Sequence, residues 1–243
     1  VRSLNPLPCV VGVPGQEMVV PPCDILSRGE VHHVGDAVAF VVADTLDRAR
    51  DAAEAIEIEW EPLPHVIGAE AAFAANAALV WPDRPGNLAF EVTFGDARQN
   101  DAVFAKAAHV VELKLVNQRL VTNYLDTRGV VAQYDKARDH YTLTLGSQGS
   151  HAIRDIIGGS VLGIAPEKMR VITPDVGGGF GTKLFAYREY ALAAFAAKLT
   201  GKPVTWIADR SEHFLGDTHG RDNITTARLA LDGDGRFLAL EVD

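Results

Sequence analysis

The chain has 243 residues, 47% hydrophobic and 23% charged, enough for one large domain or for a small domain followed by a larger one. Its formal net charge of −9, with no basic stripe, argues against a nucleic-acid or anionic-membrane surface, because both need clustered Lys and Arg. Cys9 and Cys23 form no Cys-x-x-Cys and build neither a disulfide framework nor a thiolate metal site from this chain alone, and no apolar run reaches the ~18 residues of a membrane span. Reduced thiols fit a cytoplasmic location. The start, Val1-Arg2-Ser3-Leu4-Asn5-Pro6, carries no initiating Met and no signal architecture, and reads as an internal piece of a longer protein.

Prolines at positions 6, 8, 14, 21 and 22 make the first 27 residues an extended, surface-running segment. Glu30 to His33 and Ala37 to Ala43 read as β on either side of a Gly35-Asp36 turn. Thr45 is a helix N-cap, followed by Leu46, Ala49, Ala52, Ala53 and Ile56 on one face. Ile56, Ile58 and Trp60 then alternate with Glu57, Glu59 and Glu61, so the period switches to 2 and predicts a strand ending at Pro62. Residues 1–66 are therefore read as part of a small α/β domain, 67–95 as a linker punctuated by Trp81-Pro82-Asp83-Arg84-Pro85-Gly86-Asn87, and 96–243 as the first part of a second domain.

In that second domain the pattern predicts strands at His109 to Val116, Gly129 to Tyr134 and Tyr141 to Leu145, then a helix from His151 to Leu162. Met169 to Thr173 reads as a strand, Val176 to Gly181 as a glycine loop, and Leu184 to Leu199 as an Ala-rich helix ended by Gly201 and Pro203. A strand at Val204 to Ala208 and a hairpin, Thr225 to Leu231 and Phe237 to Val242 around Asp232-Gly233-Asp234-Gly235, complete the chain. The fold class is α+β.

Strand, glycine loop and helix in succession invite a phosphate-binding reading, but the spacing does not fit. The loop ends Gly181-Thr182-Lys183-Leu184, without the Gly-Lys-Ser/Thr of a P-loop, and Thr182 stands where the third glycine of a Gly-x-Gly-x-x-Gly fingerprint belongs. Taken alone the loop could be a tight turn that binds nothing. Ser147, Ser150 and His151 lie in no Gly-x-Ser-x-Gly elbow, which makes acyl transfer a poor reading. His32-His33 and the pair His213 and His219 lack a third ligand at metal spacing and read as surface or packed residues.

The run Pro174-Asp175-Val176-Gly177-Gly178-Gly179-Phe180-Gly181-Thr182-Lys183 resembles the glycine loop of the molybdenum-binding large subunits of the xanthine dehydrogenase, aldehyde oxidase and aerobic carbon monoxide dehydrogenase family. Gly35 to Ala39 with Glu61-Pro62-Leu63-Pro64 is similar to that family's small hammerhead domain, and Asn117 to Leu120, Ser147-Gln148, Leu162 to Ile164 and Asp209 to Glu212 agree in the same order. The resemblance implies a hammerhead α/β domain followed by the first part of a molybdenum-cofactor-binding α+β domain, with both ends truncated. It further implies oxidation of a small substrate, carbon monoxide or aldehyde-like, with water as the oxygen source. The alternatives are a hydroxylase of N-heterocycles and a non-catalytic scaffold of the same fold.

By the same resemblance, the cofactor is a molybdopterin-type molybdenum cofactor, the cytosine dinucleotide being one form it takes. Iron–sulfur and FAD-bearing partner subunits would carry the electrons away, in a dimer of heterotrimers. Gln148, Gly178, Gly179, Phe180 and Gly181 match the cofactor-binding positions, with Gln148 and Phe180 contacting the ligands of the metal rather than the metal itself. An amide N–H₂ such as that of Gln148 donates to an oxygen without changing net charge. No catalytic residue is expected in this chain, since the family's general base would lie beyond Asp243. Two departures stand out. Leu125-Asp126-Thr127-Arg128 replaces a Met-Glu-Pro-Arg-like stretch, with Asp126 expected to pair with Arg128, and Leu184 stands where purine-hydroxylating members carry a Glu.

Overall fold

The computed structural model describes residues 1–243. In chain order its elements are helices α1 (Leu46–Glu54), α2 (Ala69–Ala72) and α3 (Ala97–Phe104), strands β1 (His109–Asn117), β2 (Gly129–Asp135) and β3 (His140–Leu145), then helix α4 (Ser150–Arg154) and strand β4 (Met169–Ile172). Helix α5 (Arg188–Thr200), strand β5 (Val204–Ile207), helix α6 (Arg210–Gly216) and strands β6 (Asn223–Leu231) and β7 (Phe237–Val242) follow. These fall into two compact units. One holds Val1–Gly12, Val20–Leu63 and Val121–His219; the other holds Val13–Val19, Pro64–Leu120 and Gly220–Asp243.

The first unit is built on a four-stranded sheet of order β4-β3-β2-β5, in which β2 runs antiparallel to both β3 and β5 while β3 and β4 are parallel. Alternation puts Val130 and Ala132 of β2, and Tyr141, Leu143 and Leu145 of β3, in the core. Helix α5 packs on β2, burying Tyr190, Ala191, Leu192, Ala193, Ala194, Ala196 and Ala197, and its alanines let it lie close to the sheet. A parallel pair needs a crossover, supplied here by α4 and a π-helical stretch, Asp155–Leu162, which bury Ile153, Ile157 and Val161.

This topology brings four connections to one edge of the sheet. Val130 pairs with Leu145, Gly129 with Ile207, and Thr144 with Ile172, so the start of β2 and the ends of β3, β4 and β5 lie together. The segments leading into β2 and out of β3, β4 and β5 emerge there.

The second unit carries an antiparallel sheet of order β1-β6-β7. Its β6–β7 hairpin turns on Asp232, whose Oδ1 accepts the N–H groups of Asp234 and Arg236, both at 2.9 Å.

Several expectations need correction. Residues 30–33, 37–43 and 56–60 form no strand. An extended run becomes a strand only when a neighbour pairs its backbone groups, and neither bridge outside the named strands, Leu7 with Cys23 or Leu120 with Gly220, involves them. The Gly35 turn does form, at φ 102, where a Cβ would also strike the Leu215 carbonyl. Helix α1 forms behind its Thr45 cap, yet none of its residues is buried. The Ala-rich helix begins at Arg188 rather than Leu184, because 182–184 make a single 3₁₀ turn and Phe185 and Tyr187 are extended. Only the first turn of the helix predicted over 151–162 is α-helical.

Candidate functional site

The ends of parallel strands in a mixed sheet commonly frame ligand sites, and here the loops after β3 and β4 meet at such an edge. The Ser147 and Thr173 hydroxyls join them at 2.7 Å. The Gln148 N–H donates to the Lys183 carbonyl at 3.0 Å, and the Gly181 N–H donates to Gln148 Oε1 at 2.9 Å. Gln148 is thereby held at both backbone and side chain. With its acceptor end occupied and no acceptor in the chain for Nε2, the exposed amide retains two donor hydrogens for a ligand.

The glycine loop wraps against that amide. A Cβ at Gly179 would overlap the Gln148 side chain, and one at Gly177 would overlap Asp126 Cβ, so the bare backbone is what allows the approach. Gly178, at φ 97, lies where a Cβ would sit 3.0 Å from Tyr124 Cβ. Phe180, a residue 75% exposed, is held at φ 46, a left-handed conformation that a bulky residue rarely adopts. The backbone N–H groups of Gly178, Gly179 and Phe180 find no acceptor within the chain, whereas those of Gly177, Gly181 and Thr182 do. Three backbone donors and the Gln148 amide, all uncharged, are thus left without an acceptor in two adjoining loops, a neutral donor array.

Beneath the loop lies Lys183, 1% exposed, whose ammonium donates to the Asp126 carbonyl oxygen at 2.7 Å and to Asp126 Oδ2 at 2.9 Å. It also stands 4.6 Å from the centre of the Tyr124 ring. The Thr182 and Thr122 hydroxyls bond to each other.

Arg128 does not pair with Asp126, contrary to expectation. Its wholly buried guanidinium bonds Asp217 Oδ1 through Nε at 2.6 Å and Glu189 through both terminal nitrogens at 3.1 and 3.3 Å, and it lies 3.6 Å over the Tyr187 ring. A guanidinium taken out of water needs carboxylates that share its burial; Asp217 does, while the Asp126 side chain stays 52% exposed. Burial alone would pull Arg128 down, but Glu189, and behind it Asp217, hold it above its ordinary value. Asp217 also accepts from the Tyr124 hydroxyl, and burial together with that bond pushes the phenol up. His213, fully buried, places Nδ1 2.8 Å from Asp217 and Nε2 3.0 Å from the Thr122 carbonyl.

The structure brings Gln148, Gly178, Gly179, Phe180 and Gly181 together at this edge, with Leu184 half-exposed beside them in sequence. Sequence reasoning passed over Lys183, Asp217, Glu189 and helix α6. Only α6 had a legible signal, the Asp209-x-x-Glu212 spacing of a capping box, and Asp209 does accept the Glu212 N–H at 2.7 Å.

A group rich in oxygen acceptors fits this array: its donors are neutral, and the one ammonium near the loop is already paired with Asp126. Comparison with known proteins bears on what that group is. Residues 80–243 match the molybdopterin cofactor-binding domain, and residues 12–64 match the aldehyde oxidase and xanthine dehydrogenase a/b hammerhead domain. The carbon monoxide dehydrogenase large chain of Hydrogenophaga pseudoflava is 33% identical over 231 residues, covering 90% of this chain and 29% of that protein. The 6-hydroxypseudooxynicotine dehydrogenase complex subunit gamma of Paenarthrobacter nicotinovorans is 36% identical over 220 residues, covering 89% and 27%. Quinoline 2-oxidoreductase from Pseudomonas putida 86 superposes with a TM-score of 0.82 at 37% identity, covering 95% of this chain and 29% of that one. The chain therefore spans less than a third of the length of these relatives.

Proposed function

The chain belongs to the molybdenum-binding large-subunit family of xanthine dehydrogenase, aldehyde oxidase and carbon monoxide dehydrogenase, and from that premise we propose that it supplies one wall of a molybdenum hydroxylase site acting on a small, weakly polar substrate. The observation that carries the proposal is the neutral donor array of Gln148 Nε2 and the Gly178, Gly179 and Phe180 N–H groups at the ends of β3 and β4. When bound, the molybdopterin cofactor supplies two-electron oxidation with oxygen drawn from water.

What the chain's own residues do follows from their chemistry. The array holds acceptor oxygens of the cofactor without adding a charge, so the position of the group is fixed while its electronics are left to the cofactor. The site is firm because Gln148 is bonded at backbone and side chain and because Ser147 is latched to Thr173. The Phe180 ring and the Leu184 side chain present apolar surface at the same edge, which offers no hydrogen bond to a purine and suits carbon monoxide or an aldehyde. Each purine nitrogen or oxygen buried without a partner costs about 1–3 kcal/mol.

A second reading, an N-heteroaromatic substrate, is favoured by the 37% identity to quinoline 2-oxidoreductase, since a fused aromatic ring also suits an apolar wall. In either case iron–sulfur and FAD subunits take the electrons, and the assembly is a dimer of heterotrimers in the cytoplasm.

The test is to make the complete protein in a host competent for the cofactor, measure molybdenum, and assay carbon monoxide, an aromatic aldehyde, quinoline and xanthine. Molybdenum with turnover of carbon monoxide or the aldehyde is the expected result. A preference for quinoline selects the second reading, a preference for xanthine overturns the apolar-wall argument, and protein without molybdenum overturns the enzyme reading.

A further inference from the structure

We propose that Lys183, whose side chain is buried, is the positioning residue of the donor array. Three bonds converge on it, one from the loop after β3 and two from the segment leading into β2. Its carbonyl accepts the Gln148 N–H at 3.0 Å, and its ammonium donates to the carbonyl and to the Oδ2 of Asp126 at 2.7 and 2.9 Å. Asp126 in turn clasps the first glycine of the loop: its N–H donates to the Gly177 carbonyl at 3.2 Å, and its Oδ2 accepts the Gly177 N–H at 3.4 Å. Tyr124, whose Cβ Gly178 approaches, lays its ring against the same ammonium.

A lysine taken wholly out of water is costly unless paired, so its presence under an exposed loop needs a compensating role. Geometry supplies that role. Both ends of the glycine loop are tied to Lys183, Gly177 through Asp126 and Gly181 through Gln148 Oε1, so the unpartnered N–H groups of Gly178, Gly179 and Phe180 are suspended between two anchors that share one residue. Loss of the ammonium frees Asp126, the anchor of Gly177, and with it one end of the glycine loop. Because Asp126 neutralises the ammonium, the array it positions remains uncharged.

The inference deepens the molybdenum-site reading, and its test is built to fail separately from it. Lys183→Met keeps the length and apolar stem of the side chain and removes both ammonium bonds. Amide hydrogen exchange of the complete protein is compared between the variant and its parent over residues 176–182, with 140–145 as the reference segment. The expected result is faster exchange confined to 176–182, which supports the proposal whether or not the protein holds molybdenum. In metal-loaded protein the Mo(V) resonance spectrum should shift, and kcat should fall roughly ten- to a hundredfold with KM within about twofold, as when a supporting partner of a metal site is lost. If Lys183→Met is insoluble, Asp126→Ala, which removes the carboxylate but leaves the backbone bonds, decides by the same exchange measurement. Unchanged exchange over 176–182 in a soluble variant, or an unchanged spectrum and kcat at full metal occupancy, overturns the proposal.

Discussion

The sheet β4-β3-β2-β5 and the sheet β1-β6-β7 use the same ladder chemistry but bury different things. The four-stranded sheet covers Val130, Ala132, Tyr141, Leu143, Leu145, Met169 and Val204, with polar side chains sealed at one end: Arg128, Lys183, His213 and Asp217. In the three-stranded sheet all nine residues of β1 are exposed, Val111, Leu113 and Leu115 among them, and of its strand residues only Ala230 is buried. Helix α5 lies on the first sheet, which carries the proposed site, whereas α3 lies against β7 of the second and none of its residues is buried. Buried charge in this chain is thus concentrated where four connections must be held in one arrangement, and that is the feature that separates the proposed ligand edge from the second sheet.

The comparison breaks most visibly at Arg128. Replacing it with Met leaves Asp217 and Glu189 without their cation, and equilibrium unfolding should show a loss of ~3–5 kcal/mol, enough to make the variant insoluble or partly unfolded. A loss below 1 kcal/mol would mean that the buried network is incidental. At the array itself the effect moves from stability to function. Gly179→Ala forces a methyl group into the Gln148 side chain, and Gln148→Ala removes the amide; both should lower turnover of the complete protein by about ten- to a hundredfold, with the melting temperature nearly unchanged for Gln148→Ala.

A smaller effect is expected at Asp36, which accepts the His32 N–H at 2.8 Å and pairs with Arg188 at 2.8 Å. Burial pushes its carboxyl up, but the backbone bond from His32 and the charges of His33 and Arg188 outweigh that and hold it below the ordinary 3.8. A depressed folded value means that Asp36 contributes stability above pH 3.8 and loses it as pH falls through the lower folded value. Stability measured against pH should therefore fall less steeply below pH 3.8 in Asp36→Asn than in the parent. Smallest of all, Leu113→Thr on the exposed three-stranded sheet should change stability by no more than about 0.5 kcal/mol. A loss near that of a core truncation would show that this face is covered after all.

How much of this was legible in the sequence depends on what each segment needs. Strands β2, β3, β4 and β5 and the β6–β7 hairpin follow from alternation and from the Asp232-Gly233-Asp234-Gly235 turn, because their partners are in the chain. Residues 37–43 have the same apolar texture as β2 but no paired neighbour, and alternation cannot report a missing partner. At the site, glycine spacing and Gln148 were visible, while the choice of Lys183 as the partner of Asp126 was not. That choice is made by a bend at 125–126 and by the deeper claim of Asp217 on Arg128, both tertiary facts. Pairing Asp126 with Arg128 by proximity failed for this reason.

The central claim, that the loops after β3 and β4 form the wall that holds the molybdenum cofactor, is tested most directly by a crystal structure of the complete protein loaded with cofactor and located by the anomalous signal of the metal. The account predicts cofactor acceptor atoms within about 3 Å of Gln148 Nε2 and of at least one of the Gly178, Gly179 and Phe180 N–H groups. A cofactor bound with none of those four donors in contact would contradict it.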